Sequence, residues 1–220
     1  MTDREFKDIV FGQFARIAHA FSSPKRLEII DILAQGERDV ESLARQVDMP
    51  IANTSRHLQI LKSVRLVESR REGVKIFYRL ADDEVLRGYK QLQSIAEKRS
   101  IEVRAIVSQF FEDEDDIEGL SIEDLWRRIK EKNVVLIDVR PPEEYDKGHI
   151  QGAVSIPLSQ LQDKLDEIPK DREVVAYCRG KYCVLSAKAM KVLRDAGYRT
   201  RRLQEGYPEW KEAGMPVEEL

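Results

Sequence analysis

Residues 51–80 read IANTSRHLQILKSVRLVESRREGVKIFYRL, and the change of period within them decides the fold of the N-terminal half. Over about 52–64, Leu58, Ile60 or Leu61, and Val64 fall on one side at helical spacing. Beyond that point 66–70 and 75–80 are β-prone runs separated by Arg71-Glu72-Gly73-Val74, which reads as a hairpin with glycine at its turn. Just upstream, Leu43, Ala44 and Val47 predict a short helix over about 40–47, and Met49-Pro50 separates it from the next. The order is helix, turn, helix, hairpin, which is a helix-turn-helix followed by a wing.

A recognition helix needs one face in the core and polar side chains on the other. With the apolar set inward, Asn53, Thr54, Ser55, Arg56, Gln59 and Lys62 are left outward, a mix that can hydrogen-bond base edges and phosphates. Arg70, Arg71 and Lys75 on the wing would neutralise flanking phosphates. His57 admits two readings, a phosphate contact or a packing residue between helices; His19, on an apolar helix, reads as structural. Residues 56–79 hold seven basic side chains against Glu68 and Glu72, a basic patch on a nearly neutral half.

The rest of this half is helical. Phe6, Ile9, Val10 and Phe14 form one stripe, and Ser23-Pro24 opens a second helix that runs to about Gln35-Gly36. A single long helix is expected from near Asp82-Asp83-Glu84, with Val103, Ile106, Val107 and Phe110 on one face that needs a partner surface.

The net charge of −3 conceals a split: residues 1–111 carry 19 Lys/Arg against 16 Asp/Glu, and residues 112–220 carry 18 against 24. The two halves are therefore expected to have different partners. Between them Glu112-Asp113-Glu114-Asp115-Asp116-Ile117-Glu118-Gly119 is a run of mutually repelling carboxylates, read as a linker. The expected division is 1–111, 112–119 and 120–220. No run approaches the roughly 18 apolar residues of a membrane span, and the N-terminus lacks an apolar signal core, so the chain is expected in the cytoplasm.

Downstream the pattern becomes strands alternating with helices. Residues 134–139 and 173–177 are short apolar runs of the kind found in buried parallel strands, and a helix over about 184–196, stopped by Gly197, follows the second. The two cysteines, Cys178 and Cys183, flank the start of that helix, too few and too close to staple a secreted scaffold. A cysteine between a parallel strand and a helix faces loop amides and the positive end of the helix dipole, which favours a thiolate. Arg179, Gly180, Lys181 and Tyr182 complete the loop, and its two cations add positive charge. Cys183 is placed to act as a resolving thiol toward a modified Cys178, or else to pack against the helix. No metal ligand set and no cofactor is expected.

Taken together, Ser23-Pro24-Lys25-Arg26-Leu27-Glu28-Ile29-Ile30, Leu43-Ala44, Ser55-Arg56-His57-Leu58-Gln59-Ile60-Leu61, Leu66-Val67, Arg71-Glu72-Gly73 and Phe77-Tyr78 resemble the ArsR-type winged-helix repressors over roughly residues 5–111. The resemblance implies a homodimer formed through the first and last helices on a near-palindromic operator. Arg65 stands where that family usually has glycine. No cysteine occurs near residues 37–43, where its metalloid-sensing members keep a pair.

The second half resembles the rhodanese family over about residues 119–220. The likeness rests on Leu136-Ile137-Asp138-Val139-Arg140, Glu143-Glu144-Tyr145, Gly148-His149-Ile150-Gln151-Gly152-Ala153 with Ile156-Pro157, and Tyr177-Cys178-Arg179. It ends with Gly206-Tyr207-Pro208-Glu209-Trp210 and Gly214-Met215-Pro216-Val217. It implies that Cys178 accepts a sulfane sulfur and holds it as a persulfide among loop amides, with Asp138, Arg140, His149 and Trp210 as scaffold. The usual rhodanese loop is shorter before its helix, and Val184 stands where related oxyanion-handling loops close with arginine.

The expected protein thus has two domains, a mainly α winged helix-turn-helix and an α/β rhodanese-like domain with a parallel sheet. Its expected function is a dimeric DNA-binding transcriptional regulator whose Cys178 senses sulfane sulfur or redox state, meeting a small sulfur donor or oxidant. The alternatives are a sulfurtransferase tethered to DNA and a metalloid-sensing repressor using Cys178 and Cys183.

Overall fold

The computed structural model describes residues 1–112 and 119–219. It divides into two compact units, Met1–Arg99 and Ser100–Leu220. The acidic linker expected over 112–119 lies, for 113–118, outside the described residues.

In the first unit α1 (Asp3–Phe21) begins with a capping box: the Thr2 hydroxyl accepts from the Glu5 amide (3.2 Å) and the Glu5 carboxylate accepts from the Thr2 amide (2.7 Å). Helix α2 (Pro24–Leu33) has Pro24 in its first turn, where no amide is needed. Strand β1 (Arg38–Asp39) follows, and Asp39 then caps α3 (Val40–Gln46), its carboxylate accepting from the amides of Glu41 and Ser42 (both 3.1 Å). Helix α4 spans Ile51–Ser63, and β2 (Val67–Glu72) and β3 (Lys75–Leu80) form the hairpin around Gly73, whose φ of 58° suits its tight turn. The strand order is β1-β3-β2, all antiparallel. The two-residue β1 has too short a period to be read from sequence; it is defined by its pairing with Phe77 and Tyr78. Ile29, Ile30, Leu43, Leu58, Leu61 and Tyr78 fill the core, and each buried Leu or Ile stabilises the unit by roughly 1.5–3 kcal/mol.

The expected single helix from Asp82 to Phe110 is instead two, α5 (Asp83–Arg99) and α6 (Ile101–Glu112). Ser100 causes the break: its hydroxyl accepts from the Val103 amide (3.1 Å), a local bond that caps a new helix rather than continuing the old one.

In the second unit α7 (Ile122–Lys130) is capped by Ser121 and leads to β4 (Val134–Asp138). Short elements follow: α8 (Pro142–Tyr145), β5 (His149–Ile150), β6 (Val154–Ser155), α9 (Leu158–Leu161) and a 3-10 turn over Leu165–Glu167. Then come β7 (Glu173–Tyr177), α10 (Val184–Asp195), β8 (Thr200–Arg202), α11 (Tyr207–Glu212) and β9 (Val217–Glu218). The main sheet is parallel in the order β6-β4-β7-β8, and β5 pairs with β9 separately. Between Glu173 at the start of β7 and Asp138 at the end of β4, the central strands are apolar because both faces are covered. No helix among the described residues is long and apolar enough to cross a membrane.

Candidate functional site

Two sites follow from the two units. On the first, α4 buries Thr54, Leu58 and Leu61, a stripe at i, i+4, i+7. Thr54 was expected outward and is turned inward by that register: it is fully buried and its hydroxyl donates to the Pro50 carbonyl (3.2 Å). Asn53, Arg56, Gln59 and Lys62 are exposed and Ser55 is half-buried. Gln59 donates to the Tyr78 hydroxyl (3.2 Å) and Lys62 to Ser69 (2.6 Å), so both lean from α4 toward the hairpin. His57 is half-buried, with a buried Nδ1. Burial and then the cations of Arg26 and Arg56 hold its imidazole below the usual pKa.

The wing cations stand among carboxylates. Arg70 pairs with Glu37 (2.5 Å) and with Glu72, and Lys75 lies 3.7 Å from Asp39. Arg71 donates to the Gly73 carbonyl (3.1 Å). Glu37 lies 33 positions away from Arg70 and outside the basic stretch of residues 56–79, so chain order does not announce this pair.

On the second unit β7 delivers Cys178 to the carboxyl edge of the parallel sheet, and Cys183 is the N-cap of α10. Their sulfurs are bonded, with the α-carbons 6.2 Å apart, inside the usual span for a disulfide. Cys178 is buried and Cys183 half-buried. The turn between them is closed by the Cys183 amide on the Gly180 carbonyl (3.0 Å), and the Ser186 hydroxyl donates to the Cys183 carbonyl (3.0 Å). Arg179 is half-buried and its guanidinium forks onto the fully buried Glu144, the nearest pair at 2.6 Å. Lys181 is exposed, its ammonium 6.0 Å from the centre of the half-buried Tyr182 ring.

A second wall of this loop was absent from the sequence reading. The Tyr207 amide donates to the Cys178 carbonyl (3.1 Å), and Gly206 stands directly against the Arg179–Gly180 peptide. Glu209, at the third position of α11, accepts from the Gly206 amide (2.9 Å), and the preceding Glu205 has a buried Oε2 with no hydrogen-bond partner. Burial, and then the neighbouring carboxylates of Glu209 and Glu123, hold Glu205 above the usual carboxylate range against the pull of Lys181. Gly206 and Glu209 are distant from Cys178 in sequence, and chain order gives no sign that they stand against the Arg179–Gly180 peptide of its loop. The scaffold reading of Asp138 and Arg140 has a structural counterpart: both are fully buried and paired at 2.6 Å, and Arg140 also donates to the Gly148 carbonyl (2.8 Å).

Residues 23–69 match the family profile described as a bacterial regulatory protein of the arsR family, and residues 121–213 match the rhodanese-like domain. The HTH-type transcriptional regulator Rv0324 of Mycobacterium tuberculosis is 42% identical over 213 residues, covering 97% of this chain and 93% of that protein. The chain belongs to the ArsR family of bacterial regulatory proteins. This ArsR-family protein carries the rhodanese-like domain as its C-terminal half. That half is similar to a sulfurtransferase of Allochromatium vinosum, 34% identical over 103 residues, 46% of this chain and 94% of that protein. A solution structure of the homodimeric winged helix-turn-helix DNA-binding domain of Mb0332 from Mycobacterium bovis is 41% identical, covering 46% of this chain and 91% of that one with a TM-score of 0.42.

Proposed function

We propose that this regulator binds operator DNA as a homodimer in the cytoplasm and that the Cys178–Cys183 pair sets its DNA affinity by reporting sulfane sulfur. The observation that carries the reading is the placement of two sulfurs within bonding distance at a strand end and a helix start, in a domain of the rhodanese type.

In the reduced chain the Cys178 thiolate attacks the terminal sulfur of a persulfide donor. The donor's S–S bond breaks, its thiolate leaves, and Cys178 holds the new persulfide. Cys183, as thiolate, then attacks Cys178 Sγ and expels hydrosulfide, which closes the disulfide. Two thiols are oxidised and one sulfane sulfur is reduced, so no further oxidant is required.

DNA contact is assigned to Asn53, Ser55, Arg56, Gln59 and Lys62 on α4 and to Arg70, Arg71 and Lys75 on the wing. Dimerisation is assigned to the apolar stripe of α1, where Phe6, Ile9, Phe14 and Ile17 are exposed in the single chain, together with Leu92 and Ile95 of α5. A second reading, sulfur transfer as an enzyme, is favoured by the similarity to a sulfurtransferase.

The test is intact-mass spectrometry and binding to the DNA upstream of the protein's own gene, on one reduced sample before and after polysulfide, with Cys178→Ser and Cys183→Ser beside wild type. The sensor reading expects added sulfur or loss of two hydrogen atoms to track a change in affinity that Cys178→Ser abolishes. Constant affinity with continuing sulfur turnover replaces it with the enzyme reading.

A further inference from the structure

The cysteine loop is closed on one side by residues 205–209, and only a glycine at 206 allows this. A β-carbon there would lie 2.3 Å from the Arg179 carbonyl carbon and 2.3 Å from the Gly180 nitrogen, so any larger residue would hold the segment off. The close approach brings carboxylates with it. A β-carbon built on Gly180 would lie 3.8 Å from both Glu209 oxygens, and Glu209 is held there by its bond to the Gly206 amide. Glu205 is adjacent, half-buried, with one oxygen turned away from solvent and no partner for it. Glu123 of α7 adds a third carboxylate within electrostatic reach of Glu205.

The loop's own cations do not outweigh them. Arg179 is committed to the buried Glu144. Lys181 acts on Glu205 as one cation against the two carboxylates of Glu209 and Glu123. A solute approaching the Cys178 loop from the 205–209 side therefore meets a negative field, while Cys183 itself caps the start of α10.

We infer that Glu205 and Glu209 select the sulfur donor by charge, so that Cys178 takes sulfur from uncharged or singly charged persulfides and turns away dianions such as thiosulfate. This rests on the sulfur-sensing reading for the identity of the donor, but charge selection at the cysteine is a separate property. Thiosulfate could load the cysteine only by breaking its S–S bond and releasing sulfite, itself a dianion that must leave through the same field. An alkyl hydropersulfide releases one thiolate.

The experiment uses full-length reduced protein and reads the rate of Cys178 modification by mass spectrometry, in Cys183→Ser and in the same chain carrying Glu205→Gln, Glu209→Gln or both. The probes are neutral iodoacetamide and the dianionic aromatic disulfide 5,5′-dithiobis(2-nitrobenzoate), then an alkyl hydropersulfide, which carries at most one negative charge, and dianionic thiosulfate. The ratio of dianion rate to neutral rate should rise about tenfold on replacing the two glutamates together, and the wild-type ratio should rise with added salt. A ratio unmoved by these substitutions and by salt overturns the inference, as does thiosulfate loading as fast as the hydropersulfide. If neither sulfur donor loads Cys178 while the thiol-probe ratio still shifts, the charge selection stands and the sulfur-sensing reading fails.

Discussion

Gly206 touches Arg179 backbone to backbone, with space for no side chain between them: the nearest approach of a β-carbon on Gly206 to the Arg179 carbonyl oxygen would be 2.5 Å. Both neighbours are backbone and cannot rotate aside, so Gly206→Ala should move the loop or α11 bodily. We expect a loss of about 2–3 kcal/mol for the second unit and a changed rate of Cys178–Cys183 closure. Urea unfolding and thiol titration of the variant check the two effects separately.

Glu144 is fully buried beneath Arg179, so its charge is matched inside the protein rather than by water. Replacing it with glutamine leaves a guanidinium short of its main counter-charge, at a cost of roughly 3 kcal/mol. Thermal unfolding of Glu144→Gln should fall by several degrees; an unchanged midpoint would show that solvent replaces the carboxylate at no cost.

Arg65 has a φ of 60°, the left-handed region that favours glycine. The side chain is exposed, so nothing in the packing requires it. Arg65→Gly should stabilise the first unit by about 0.5–1 kcal/mol, the left-handed strain relieved less the added freedom of glycine in the unfolded chain. Chemical denaturation measures this directly.

On the wing, Glu37 and Glu72 compete with DNA phosphate for Arg70. Glu37→Gln should therefore strengthen binding and steepen the salt dependence by about 0.9 in the slope of log K against log salt, one more counterion released. Arg56→Ala, on an exposed α4 residue, should weaken binding by about 1–2 kcal/mol. Fluorescence anisotropy across a salt series distinguishes the two; equal slopes for wild type and Glu37→Gln would mean that Arg70 does not reach the backbone.

His57 binds its proton less tightly in the folded state than its ordinary value of 6.5. The unfolded chain therefore holds more protons in the window just below 6.5, and stability rises with pH there. Wild type should lose stability as pH falls through that window, and His57→Gln should lose less. Parallel melting curves at mildly acidic and neutral pH test the sign.

The fold was largely legible because its elements announce themselves locally. The period change after Val64 marked the wing, and β7 was read residue for residue because both of its faces are buried. Legibility failed where a local bond or a distant partner decided. Ser100 ended a helix whose apolar spacing continued past it. Thr54 turned inward because helical register put it under Leu58, although its hydroxyl suggested an outward role. At the cysteine loop, residue type identified Cys178 and Cys183, but Glu144, Glu205 and Glu209 come from elements separated in sequence and could be placed only once the sheet order was known.

The spacing of the two cysteines also has a thermodynamic side. They are five positions apart, so the ring that their bond closes is short. The chain entropy withheld from the unfolded state is correspondingly small, about 2 kcal/mol against roughly 4.7 kcal/mol for a loop of a hundred residues. A link of this size can open and close while the surrounding sheet stays folded. Oxidation and reduction then exchange two native forms that differ by about thirtyfold in unfolded population, a difference that the cell's proteases, which act on unfolded chains, can register.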